Sequence, residues 1–200
     1  MSKRVRPAWW CLIAGLAYGA LLTLAWPPVD VWWLAFFAPI PLVLIGESVA
    51  RSGVSARRAG VLAALGSLPF WFLQARWLID VTLAGYPCMA VYLSIYVGLF
   101  VALLARVRRR RPAWPLWAVA SLLWVGLEVL RGEFVLTGYP WFLAGHPLVE
   151  LPVLASPAAL LGAYFVSLLV VTLGASVAEM GCPGGGLSAG PRMWKNRADK

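Results

Sequence analysis

The chain has 200 residues, of which 62% are hydrophobic and 12% charged, with a mean hydropathy of +0.80. A soluble domain of this length cannot bury that much apolar surface, so the water-soluble classes are excluded. The net charge of +9 would suit nucleic acid in a soluble protein, but these cations lie between apolar runs, so an anionic membrane leaflet is the expected partner and nucleic acid is not.

Lys3, Arg4 and Arg6 form a short basic head. The first predicted span covers residues 8–26, about 28 Å of helix and enough to cross a bilayer. More apolar spans follow, so this one is read as uncleaved, and Ala8-Trp9-Trp10 before Cys11 is too bulky for a lipoprotein-type cleavage site. Pro27-Pro28-Val29-Asp30 breaks it. The second span covers 31–50; Pro39 and Pro41 should kink it, and Glu47 and Arg51 are spaced to pair at its end. A basic loop with Arg57 and Arg58 follows. The third span, 59–79, contains Pro69 and ends on Gln74, Arg76 and Asp80, where Arg76 and Asp80 repeat the four-residue spacing.

Ala84-Gly85-Tyr86-Pro87 is a turn, and the fourth span runs over 87–105. Arg106, Arg108, Arg109, Arg110 and Arg111 after it read as an orientation signal. The fifth span covers 114–130, a central loop runs to Pro157, and the sixth span covers 158–177. From Met180 the composition changes to Gly, Pro and basic residues, so 179–200 is expected to be a disordered cytoplasmic tail behind a membrane domain of 1–178. The predicted class is all-α, a polytopic membrane bundle of about six helices. With the N-terminus inside, the inner segments hold 15 of the 17 Lys and Arg; Arg76 and Arg131 alone fall outside, which places both termini in the cytoplasm. Trp9, Trp26, Trp32, Trp33, Trp77, Trp114, Trp117 and Trp141 fall near the ends of apolar runs, as in an aromatic belt.

The most informative stretch joins the fifth span to the central loop. Glu128 and Arg131, three apart, share a helix face near its end, where unpaired charge is costly. Gly138-Tyr139-Pro140-Trp141 then supplies a turn and an interfacial aromatic. Two readings stand: a paired helix end with a Trp anchor, or a lipid or substrate contact at the outer face built from Glu128, Arg131, Gly138, Tyr139, Pro140 and Trp141. In the first, Arg131 pairs with Glu128. In the second, its guanidinium grips a phosphate. No catalytic residue is assigned. His146 has no partner at a recognisable spacing and reads as a loop residue. Cys11, Cys88 and Cys182 read as packing residues, and no residue set suggests a metal or another cofactor.

Four segments, in order, resemble the membrane domain of the bacterial apolipoprotein N-acyltransferases. They are Thr23-Leu24-Ala25-Trp26-Pro27-Pro28 with Val31-Trp32, and Val91-Tyr92-Leu93-Ser94-Ile95-Tyr96 with Val97-Gly98-Leu99-Phe100. The others are Glu128-Val129-Leu130-Arg131-Gly132 with Thr137-Gly138-Tyr139-Pro140-Trp141, the most specific, and Leu161-Gly162-Ala163-Tyr164-Phe165-Val166-Ser167. The resemblance covers residues 8–178. It implies the inner membrane, and phospholipid and lipoprotein as substrates: such enzymes move an acyl chain from a phospholipid to the α-amino group of a diacylglyceryl-cysteine. It also implies that the chemistry belongs to a nitrilase-like domain with a Glu-Lys-Cys triad. This sequence shows no such domain, none of its cysteines matches the nucleophile, and Glu133 and His146 stand where aromatics are common in the family. The expected role is therefore the membrane half of a split or truncated enzyme, working with a separate nitrilase-like chain. The alternatives are an inactive remnant or a small membrane binding or transport protein.

Overall fold

A computed structural model describes residues 8–149 and 151–182. Eight α-helices follow in order: α1 (Trp10–Ala25), α2 (Pro39–Arg51), α3 (Ala56–Gln74), α4 (Gly85–Arg110), α5 (Leu116–Val129), α6 (Pro152–Ala155), α7 (Ala158–Leu161) and α8 (Ala163–Met180). No strand occurs among the described residues. The class is that of a polytopic all-α membrane bundle. By length and apolarity three segments suffice to cross a membrane: Trp32–Arg51, Gly85–Arg110 and Ala163–Met180.

Small residues set the helix spacing. α1 and α3 run side by side in the same direction, and a Cβ on Gly15 would strike the Ala63 carbonyl, while one on Gly66 would strike that of Leu12. α3 and α4 cross in opposite directions at Gly60 and Gly98, each backbone facing the other's carbonyl. In lipid there is little hydrophobic force between helices, so this close backbone approach is what dispersion needs. α5 and α8 also pack antiparallel, with the Thr172 hydroxyl 3.0 Å from that of Ser121. Thus α1, α3 and α5 run one way and α2, α4 and α8 the other.

One end of the bundle is basic. Glu47, 4% exposed, accepts from Arg108 Nε at 2.6 Å and from Arg51 Nε at 2.8 Å. Arg108 also donates to the Trp114 carbonyl, and Arg109 to those of Val49 and Val54. Glu179 caps α5, accepting from the Leu116 and Trp117 amides at 3.0 and 3.2 Å. The expected Glu47–Arg51 pair is present, and Arg108 completes it from 61 residues away.

Several boundaries differ from expectation. Pro39 opens α2 after a 3₁₀ turn over Trp32–Phe36. Pro39 and Pro41 thus lie in the first turn, where an amide has no intrahelical acceptor, and they start the helix instead of kinking it. α4 continues through the arginines to Arg110. α5 begins at Leu116, since Pro115 precedes it. The sixth span is displaced: 158–161 is a separate turn, and Gly162, at φ +79°, resets the chain before α8. Arg76 and Asp80 form no ion pair; both lie in a 3₁₀ turn, where the four-residue α-helical spacing no longer brings side chains together. Of the tail expected over 179–200, Glu179 and Met180 instead form the last turn of α8 and Cys182 packs against the core, while residues 183–200 lie outside the described residues, as does Glu150.

Candidate functional site

The other end of the bundle is aromatic and is closed by the chain from Leu130 to Leu161. After Val129 the helix widens into a π turn, Leu130–Phe134. Such a turn releases one carbonyl from the regular ladder; here the Arg131 carbonyl accepts the Tyr139 amide at 2.9 Å. Gly132 fits beneath the Tyr164 hydroxyl, where a Cβ would collide. That hydroxyl donates to Glu133 at 2.6 Å, tying the start of α8 to the π turn. Gly138, at φ +92°, packs against the Gly132 carbonyl. Leu136 and Phe142 also have positive φ, 52° and 56°, a conformation unfavourable for side-chain-bearing residues.

Two charged side chains hold this loop, and they do so without pairing with each other. Glu128 and Arg131 are 6% and 4% exposed, but no ion pair joins them. Glu128 Oε1 accepts from the Ala144 amide at 2.7 Å and from Trp124 Nε1 at 2.9 Å. Arg131 donates to the carbonyls of Trp141 and Phe142 at 2.8 and 3.3 Å, and its guanidinium lies 5.8 Å from the centre of the Tyr96 ring. The expected Glu128–Arg131 pair is therefore corrected. Each side chain satisfies backbone groups of the loop that buried structure would otherwise leave unpaired, so both charges are spent on ordering residues 141–144.

The predicted residues do converge. Tyr139, Trp141, Glu128 and Arg131 belong to one cluster, and Gly138 and Pro140 shape the turn between them. Trp141 is 58% exposed and its ring lies 6.3 Å from that of Trp77. Burial pushes the Tyr139 hydroxyl above its ordinary pKa, against the pull of the Arg131 charge. His146 lies in a short 3₁₀ turn with its ring 6.1 Å from Trp26. Burial, and then Arg131, hold its pKa below the usual value.

Sequence reasoning missed the residues that complete the site from a distance. Trp26 and Trp71 pack on Phe142, with ring centres 5.2 and 5.8 Å away. Ser167 Oγ accepts the Gly145 amide at 3.1 Å. Below the loop lies a small pocket of about 30 Å³, lined by residues of α1, α3, α4 and α5 together with Arg131 and Phe142. Ser167 stood in one of the informative sequence stretches. Trp71 carried no local signal, because its role arises from the contact of α3 with the loop.

The family described as the apolipoprotein N-acyltransferase N-terminal domain matches residues 18–176. The apolipoprotein N-acyltransferase of Rhodopirellula baltica is 35% identical over 174 residues, covering 81% of this chain and 29% of that protein. Those of Photobacterium profundum and Rhodopseudomonas palustris are 32% and 33% identical, covering 84% and 86% of this chain and 34% of each relative. The chain thus spans about a third of the length of the curated relatives it matches.

Proposed function

The chain belongs to the apolipoprotein N-acyltransferase N-terminal domain family, and from that premise we propose that it is the membrane half of a lipoprotein N-acyltransferase of the bacterial inner membrane. Its task is to hold phospholipid and lipoprotein tails where the acyl chain is handed over. The nucleophile comes from a nitrilase-like domain outside residues 1–200, on the same or a separate polypeptide. Three helices running each way, and 15 of 17 Lys and Arg assigned to one side, support six crossings with both termini in the cytoplasm. The aromatic end then faces outward.

The observation that carries the reading is the ordered loop of residues 138–142. It presents an exposed Trp141, a side chain suited to the headgroup level, and the buried Arg131 guanidinium donates to the Trp141 and Phe142 carbonyls. A surface made only to anchor a helix end would not need two buried charges to set the path of its backbone. Glu128, Arg131, Gly138, Tyr139, Pro140 and Trp141 are the proposed lipid-contact set: Trp141 and Tyr139 touch lipid, and the others position them.

A domain exchange tests this. Residues 8–180 replace the corresponding membrane domain of the Rhodopirellula baltica relative, and N-acylation of a reporter lipoprotein is measured in cells depleted of their own enzyme. The exchange is expected to support N-acylation, and Trp141→Ala within it to lower the rate at least tenfold at unchanged protein level. A folded, membrane-inserted exchange with no N-acylation, or a Trp141→Ala form as active as its parent, would overturn the proposal.

A further inference from the structure

The basic end of the bundle holds more cations than the fold uses. Glu47 takes Arg51 and Arg108, the Val49 and Val54 carbonyls take Arg109, and Arg111 lies over the Trp114 ring at 5.7 Å. Arg57, Arg106 and Arg110 are exposed, and among the described residues their side chains meet no acid or other acceptor. Arg57 also stands in the first turn of α3, where the helix dipole disfavours a cation and no acidic residue offsets it. Every Lys or Arg position among the described residues is an arginine, whereas lysine serves equally well as a bare orientation signal. A guanidinium grips two oxygens of one phosphate, which an ammonium cannot do in the same fixed geometry.

Helix register gathers these unused cations at one place. α3 and α4 are antiparallel and touch at Gly60 and Gly98, and a Cβ on Gly60 would also meet Ala102. At about 100° per residue, Arg57, Val61 and Leu65 lie on one flank of α3 beside that contact line. Ile95, Leu99, Arg106 and Arg110 lie on the matching flank of α4. Because the helices run in opposite directions, both flanks open to the same side of the seam. α1 and α2 pack on the opposite flanks, at Gly66 and Leu104. Val61, Leu65, Ile95 and Leu99 are all exposed, so two aliphatic rows border the seam and each ends on an arginine. From Leu65 to Arg57 is about 12 Å of helix and from Ile95 to Arg106 about 16 Å. That is close to half of a hydrocarbon core about 30 Å thick, the length of one leaflet's chains.

We infer that the outer side of the α3–α4 seam is a binding site for one anionic phospholipid. Its phosphodiester sits between Arg57 and Arg106 with Arg110 beside it, and its acyl chains lie along the Val61–Leu65 and Ile95–Leu99 rows. A zwitterionic headgroup brings its own ammonium to the same arginines, so a net negative lipid such as phosphatidylglycerol fits and phosphatidylcholine does not. The site lies at the opposite end from the 138–142 loop and does not rest on the acyl-transfer reading, so either can fail without the other.

The test is native mass spectrometry of the full chain, released from detergent containing equimolar phosphatidylglycerol and phosphatidylcholine with identical acyl chains. One retained phosphatidylglycerol per chain is expected, preferred at least fivefold over phosphatidylcholine. Arg57→Gln with Arg106→Gln should lower that retention at least fivefold. Arg58→Gln with Arg111→Gln removes the same charge from the same end but away from the seam, so retention should stay within twofold of wild type. Equal retention of the two lipids by wild type, unchanged retention in the seam variant, or equal losses in the two double variants, which would mean diffuse attraction only, would each overturn the assignment. All four arginines are exposed, and the wild-type comparison decides even if a variant folds poorly.

Discussion

Glu128 and Arg131 were legible as an expensive pair of charges, but their spacing could not show where the charges are used. The i, i+3 rule places two side chains on one helix face. It is silent about backbone groups that return from ten or sixteen residues later. The Ala144 amide and the Trp141 carbonyl are such groups, and they satisfy each charge separately. The consequence is measurable. Glu128→Gln retains an acceptor for Ala144 and Trp124 and should melt close to wild type in detergent. Glu128→Ala leaves two buried donors unpaired and should lose about 2–5 kcal/mol. Equal losses in the two variants would mean that Oε1 does not hold the loop. His146 adds a pH dependence. Its pKa is lowered in the folded state, so the unfolded chain binds the proton more readily and stability falls as pH drops below about 6.5. Hydrogen-exchange protection over residues 142–149, taken relative to the intrinsic amide rate at each pH, should fall between pH 7.5 and 5.5, and His146→Leu should remove most of that change.

At the scale of elements, apolar runs and proline positions located the main helices, and the errors came from what lies between them. Pro39 and Pro41 were visible, but whether a proline starts a helix or kinks one depends on where the first turn falls. Here a 3₁₀ turn takes residues 32–36 and leaves Pro39 to start α2. The split of the sixth span at Gly162 is equally local: an apolar run has no feature that reports a φ of +79°. Helix contacts, by contrast, follow from glycines that nothing in the hydropathy distinguishes. Gly60→Leu should abolish the monodisperse species on size exclusion, because a side chain there meets the Gly98 carbonyl. Gly126 lies in α5 with open space around its would-be Cβ, so Gly126→Ala should be neutral or stabilise by about 0.5–1 kcal/mol. Glu47→Ala should cost more than any exposed-charge change, about 3–5 kcal/mol, because it strands the buried Arg108.

For the whole molecule, the class and the two-ended character were readable early. Charge asymmetry separated a basic end from an aromatic one, and the structure brings Glu47, Arg108 and Arg109 together at the first and Trp26, Trp71, Trp77 and Trp141 around the second. The pocket between them was not readable, since it needs residues of four helices and the loop at once. The chain by itself is expected to form no acyl thioester. Cys11 is buried, Cys88 is exposed at the start of α4, and burial raises the pKa of the Cys182 thiol, so labelled phospholipid should leave no hydroxylamine-sensitive adduct.

The central claim is that the loop ordered by Glu128 and Arg131 is where this domain meets lipid, and photo-crosslinking tests it most directly. A phospholipid with a photoreactive group at the headgroup level is incorporated with the chain in nanodiscs, irradiated, and its adducts are mapped by mass spectrometry. Adducts are expected to concentrate in residues 138–142, and to fall at least fivefold there in Arg131→Gln while those on the exposed Trp9 and Trp114 stay unchanged. Adducts spread evenly over the exposed tryptophans, or undiminished at 138–142 in Arg131→Gln, would contradict the account.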